Sequence, residues 1–272
     1  MLASIGAMST KPSTTSDGPR ISATRALPVL IVFVVVLALL AHGPIAQLAD
    51  YHAFADQRVW RGIPNAADVL SNLGFAVVGL FGMHVLWRRR EWQTLGSARS
   101  GYGLFFVALL LTAFGSAWYH LVPDNARLVW DRLPIALACA GLLAAVWRET
   151  APGSRWITPA LAILAVFSVA WWRYTDLHGL GDLRPYLLIQ FLPLILIPLL
   201  QWQHRAPPAE RRAYAIAIAL YVLAKLCELA DHATFMSLAL LSGHTLKHLL
   251  ATLASAVVAF SFAQRHSPRQ IP

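Results

Sequence analysis

Charge is scarce in this sequence. Only 13% of its 272 residues are Asp, Glu, Lys or Arg, while 57% are hydrophobic; a soluble globular domain carries roughly 25% charged residues. That deficit excludes an ordinary soluble domain, whose surface needs more charge. Cysteine is scarcer still. The two present, Cys139 and Cys227, lie inside apolar runs, which argues against a disulfide framework and offers no metal-binding spacing. Acids are few beside bases, 13 against 22, for a formal net charge of +9. In a soluble protein that surplus would point to nucleic acid. Here the bases cluster in short segments between apolar runs, as orientation signals for membrane insertion do, so no nucleic-acid partner is expected. Internal repeats are absent.

What is abundant is long apolar sequence. Eight segments stand out, at about 26–42, 66–87, 101–121, 132–148, 155–173, 185–202, 213–230 and 242–263. Each is near the length needed to cross about 30 Å of hydrocarbon. Helices are the default spanning structure, because lipid offers the backbone no hydrogen-bond partner. The expectation is an all-α polytopic membrane helix bundle. Trp60, Trp87, Trp118, Trp130, Trp147, Trp156 and Trp202 lie near segment ends, where amphipathic rings favour the interface. Residues 1–25, rich in Ser, Thr, Ala and Gly, read as a disordered basic tail, and 264–272 as a C-terminal tail. The first segment is either a signal-peptide core or a retained anchor; no small-x-small cleavage site follows it, which favours the anchor.

The bases also orient the chain. Arg58, Arg61, Arg127, Arg132, Arg173 and Arg184 fall on one side by crossing count, Lys225 and Lys247 fall inside segments, and all the others fall on the opposite side. Basic residues near helix ends accumulate in the cytoplasm. Eight crossings with both termini cytoplasmic are therefore expected.

Ionisable residues inside a membrane need a reason. Ser116 and His120, four apart at the end of the third segment, share a helix face. Asp131 follows eleven residues on, at the start of the fourth. His244 and His248, also four apart, open the last segment. Two imidazoles at that spacing can grip one metal ion, and a third from another helix would leave an open fourth position, as catalytic zinc has. Each residue also has a plain reading: His120 as an interfacial histidine, the His244/His248 pair as coincidence, Ser116 bonded back to its own helix, Asp131 as an N-cap. Haem fits poorly, since histidines on one helix cannot take opposite axial positions. All five residues nevertheless reach the same side of the membrane by crossing count. Lys225 and Glu228, three apart, are expected to pair. Asp231 and His232 lie close enough to support the cluster, and His178, in a Gly-containing loop, is a further residue to watch. The remaining histidines read as ordinary.

With Ser116-x3-His120, Asp131 and His244-x3-His248, the sequence resembles the alkaline ceramidases (alkaline phytoceramidase-like). These belong to a wider group of seven-helix membrane zinc hydrolases that includes the adiponectin-receptor-like proteins. Ser71-Asn72 resembles the polar element of that family's first core helix. The resemblance covers about 65–263 and implies a seven-helix core, with 26–64 as an extra N-terminal transmembrane helix and outer loop. It implies that His120, His244 and His248 bind zinc, with Ser116 and Asp131 as catalytic neighbours, and that the substrate is a ceramide-like membrane lipid. Zinc would lower the pKa of its bound water toward ~7. Asp131 would hold and deprotonate that water, and Ser116 would donate to the oxyanion. The animal enzymes carry an acidic calcium-binding cluster before the first core helix. The matching stretch here, 50–65, has Asp50 and Asp56 but also Arg58 and Arg61, so calcium is not expected. Two alternatives remain open: another lipid hydrolase of the same fold, or a receptor or metal carrier in which zinc is a structural staple. The sequence is silent on oligomeric state.

Overall fold

The computed structural model describes residues 23–88, 93–150 and 155–265. The expected tails lie mostly outside these, at 1–22 and 266–272. Among the described residues the structure is helical, with one isolated β-bridge between Trp60 and Ile63. In chain order the helices are α1 (Ala23–His42), α2 (Ala66–Ser71), α3 (Leu73–Arg88), α4 (Arg99–Leu121), α5 (Asn125–Thr150), α6 (Ile157–Leu177), α7 (Arg184–Gln203), α8 (Pro208–Leu229), α9 (Asp231–Leu238) and α10 (Gly243–Arg265), with a 3-10 turn over Gln93–Ala98.

Six helices are long and apolar enough to cross a membrane, α2 and α3 counting as one, and α8 with α9 makes a seventh if that pair, bent by 84°, is one span. The apolar part of α1, Ala26–His42, is shorter. The outer faces of the bundle carry large exposed apolar side chains, among them Val77, Leu80, Phe114, Ile163, Phe167 and Phe260. Soluble monomers rarely expose apolar patches so broadly; a lipid surround accounts for them. The chain is thus consistent with a multi-pass membrane protein.

Helix α5 is the hub and packs on α4, α6 and α7, while α10 packs on α8 and α3. Small residues set the closest approach. A Cβ on Gly115 would strike the carbonyl of Trp130, and one on Gly141 would come 2.6 Å from the Phe105 backbone nitrogen. Close backbone approach through Gly is how membrane helices gain contact without a hydrophobic driving force. At Gly115 the approach has a local result: Ser116 on α4 is brought opposite Asp131 on α5. Helix α1 leans on α7, and its C-terminal end is tied there, with Leu183 N–H donating to Ile45 O at 2.8 Å and Arg184 Nη1 donating to Leu39 O at 3.3 Å. Asp182 stands at that junction. Burial alone would raise its carboxyl, but hydrogen bonds from Arg184, Trp171 and Ile45 N–H hold it down at about 2.

Candidate metal centre and cavity

The C-terminal end of α4 and the N-terminal end of α10 meet on one side of the bundle. His120, His244 and His248 converge there, buried, with their ligand atoms all within 4.8 Å of one another. His120 Nε2 and His244 Nε2 stand 3.3 Å apart. Two nitrogens bonded to one tetrahedral zinc at 2.0–2.1 Å stand about 3.3 Å apart. The three ring centroids form a near-equilateral triangle of 4.8, 5.0 and 4.8 Å. A three-imidazole donor set of this kind suits zinc and also copper, iron and nickel. His120 Nδ1 is buried with no hydrogen-bond partner among the described residues.

The α10 end of the site is fixed by caps. Ser242 Oγ accepts Thr245 N–H at 3.0 Å, and Asp231 Oδ1 accepts His244 N–H at 2.7 Å. Two of the helix's orphan donors are thereby satisfied. Gly243 makes room for this, since a Cβ there would strike the Cys227 carbonyl and lie 2.7 Å from Asp231 Cα. On the α4 side, Asn65 in a left-handed conformation (φ 47°) donates from Nδ2 to the His120 carbonyl at 2.8 Å.

Outer contacts set one ring's tautomer. Ser71 Oγ donates to Asp68 O at 3.0 Å, so its lone pair faces His248 Nδ1 at 2.8 Å. His248 then carries its proton on Nδ1 and its lone pair on Nε2, the arrangement that outer partners impose on metal-binding histidines. Asp68, fully buried, accepts the Thr245 hydroxyl at 2.6 Å and so joins α2 to the start of α10.

Ser116 and Asp131 are both buried beside the cluster, on the wall of one cavity. The Ser116 hydroxyl lies against the Asp131 carboxyl without a well-formed hydrogen bond to any group. Asp131 is not an N-cap: α5 begins six residues earlier, at Asn125, and Asp124 Oδ1 accepts Arg127 N–H at 2.7 Å. The cavity is lined by Ser116, Asp131, Lys247, His248 and Glu228 at one end and by apolar residues such as Phe105, Leu109, Ile197 and Val258 below. From His248 to Val258 it follows ten residues of α10, about 15 Å at the helical rise.

The cluster is covered by the 43–65 connection. Phe54 packs against His120 and His244 with ring centroids 4.7 and 4.5 Å apart, tilted to the first and edge-on to the second. Ala55 N–H donates to Asp231 Oδ2 at 2.9 Å, and His232 Nε2 donates to Ala53 O at 2.9 Å. His52 joins Tyr119 and Asn125, each at 2.8 Å. Asp56 is buried and gripped by Arg58, through Nε at 2.8 Å and Nη2 at 2.6 Å; the Arg58 guanidinium holds the Asp56 carboxyl below the usual range. The cation at the Asp56 carboxylate is therefore an arginine.

Several expectations meet the structure here. The Lys225–Glu228 pair forms at 2.7 Å and extends further: Glu228 also binds Lys247 at 2.9 Å, whose Nζ lies 3.0 Å from His244 Nε2. Asp231 supports the cluster through the backbone of His244 rather than through a ring. His232 anchors the covering connection instead of the cluster. His178 donates to the Tyr174 carbonyl of its own helix at 2.7 Å and stands apart. Read as ordinary, His52 is a cross-brace of the cover. Arg132, taken with the loop cations, is instead buried, its guanidinium over Trp172 at 4.0 Å. No family model matches the chain, and a search of curated proteins finds no match.

Proposed function

We propose that this protein is an intramembrane metal-dependent amidase that hydrolyses the N-acyl bond of a ceramide-like lipid, giving a fatty acid and a sphingoid base. The reading rests on one observation: three buried imidazoles from α4 and α10 lie within ligand distance of one another, and one of them, His248, lines an apolar cavity that also presents Ser116 and Asp131. The histidines suit zinc, and zinc when bound supplies a Lewis acid that activates water near neutral pH. Among the described residues, the candidate ligand group holds three histidines and no fourth side chain, as a catalytic rather than a structural zinc site would. That favours hydrolysis over the receptor or metal-carrier reading.

The chain's own groups divide the remaining work. The cavity takes the acyl chain and keeps it dry. Asp131 orients the attacking water, accepts its proton and passes it to the departing amine nitrogen. Ser116, whose hydroxyl has no settled partner, donates to the carbonyl oxygen as charge develops there. The Ser116→Ala variant should keep its metal and slow turnover by about 10²-fold, the usual loss when one oxyanion donor is removed; metal analysis together with released fatty acid checks this. The direct test of function is to incubate purified protein with ceramides, with and without a chelator. Chelator-sensitive fatty-acid release is expected, and none at all would end the reading.

The distribution of bases supports placing both termini in the cytoplasm after eight crossings, with the histidine cluster near the extracytoplasmic face. Exposed Ala126 lies on the cluster side and exposed Ala209 on the other. In a background lacking Cys139 and Cys227, a cysteine replacing Ala126 should react with an impermeant thiol reagent in intact cells. One replacing Ala209 should react only after lysis, and the reverse pattern would invert the topology.

A further inference from the structure

Arg132 is the most deeply buried cation beside the cavity, 2% exposed. Its guanidinium carbon lies 4.0 Å from the Trp172 ring, 5.0 Å from Tyr51 and 5.3 Å from Tyr186. Aromatic rings cover the faces of a guanidinium and leave its in-plane N–H donors to find acceptors. Here Nε and Nη1 meet none, and neither does the neighbouring Trp172 Nε1. Three donors of this stacked pair are thus buried without an acceptor, where buried polar groups are normally paired.

The nearby charges point the same way. The charged residues on the cavity lining are Lys225, Lys247, Asp131 and Glu228. Glu228 is shared by both lysines, and no ion pair to Arg132 occurs among the described residues. Ionisable groups at membrane depth pair or mark a ligand. Two walls of the cage, Tyr51 and Tyr186, are also walls of the cavity, as is Asp131, the residue preceding Arg132. Arg132 and Trp172 stand behind these walls rather than on the cavity lining, so a lipid head in the cavity would reach the guanidinium past the two tyrosines.

We propose that Arg132, caged by Tyr51, Trp172 and Tyr186, binds the anionic head of a long-chain lipid occupying the cavity, so that the preferred lipid amide carries a carboxylate or phosphate. This deepens the amidase reading and rests on it for the identity of the cavity as a lipid site. The test is a binding titration of the full-length protein in neutral detergent, as purified and after chelator. The ligands are an N-acylglycine, the N-acylethanolamine of the same chain, and inorganic phosphate. The two acyl amides differ chiefly in the charge of the head.

The N-acylglycine should bind at least tenfold tighter than the ethanolamine, with or without chelator. Arg132→Gln should bring the two to parity, and Trp172→Phe, which keeps a ring but removes the indole donor, should narrow the gap about threefold. Equal affinities in the wild-type protein would overturn the proposal. So would a preference that disappears on chelation, since the carboxylate would then sit on the metal, and so would phosphate competing as well as the lipid. If Arg132→Gln fails to fold, the Trp172→Phe and wild-type comparisons still decide. A carboxylate preference without cleavage of any lipid amide would remove the amidase function and leave the anion site standing.

Discussion

Asp131→Asn is expected to lose lipid-amide hydrolysis by about 10³-fold, within the 10²–10⁴ range of a positioned acid–base group, while the protein keeps its fold and its metal. Asp131 lies on the second turn of α5, so changing it uncaps nothing; Asp124 already receives the first-turn N–H of Arg127. The carboxyl faces the cavity beside Ser116 and is not among the metal-candidate residues. An amide of the same shape can still accept a hydrogen bond but cannot take up a proton. Fatty-acid release, thermal melting and metal content should be measured on the same preparation. Wild-type turnover in this variant would leave Asp131 a packing residue.

His244→Ala should act on the metal itself. About one zinc ion per chain is expected in the wild-type protein, as one three-histidine site implies, and little should survive in the variant. Ser71→Ala is the informative companion. Ser71 touches no metal, but it holds the His248 proton on Nδ1, and loss of such an outer partner typically weakens metal affinity by 10–100-fold. Elemental analysis with a graded series of chelator concentrations should therefore rank wild type above Ser71→Ala, and Ser71→Ala above His244→Ala. Full occupancy in His244→Ala would move the metal elsewhere.

Much of this was legible in the sequence, for a physical reason. Hydrocarbon demands long apolar helices, so the spans show as composition. With α2 and α3 counting as one, the segment ends fall within about five residues of the ends of the long helices, except that α5 begins seven residues before its segment, while the short α9 had no segment of its own. Histidines at a spacing of four must share a helix face, so the His244–His248 pair was readable without coordinates. Contacts across the chain were not. Phe54 covering His120 and His244, Asp68 receiving Thr245, and Lys247 leaning on His244 join residues many positions apart, and no periodicity reports them. Asp131 was misplaced as a possible cap because Asn125–Trp130, with its arginine, is too polar to read as spanning helix, yet it adds the first turns of α5. Arg132 was counted as a loop cation for the same reason.

The covering connection has a consequence for how the protein must be assayed. Phe54, seated on two of the histidines and held by Asp231, His232 and His52, separates the cluster from bulk water, while the cavity leads into the bundle for about 15 Å along α10. On the proposed amidase reading, a lipid that reacts here would arrive from the bilayer and its acyl product would return there. Such a protein samples a two-dimensional solvent. Its velocity should follow the fraction of substrate among the surrounding amphiphiles, so that adding inert detergent at constant substrate slows turnover even though nothing in the flask has been diluted.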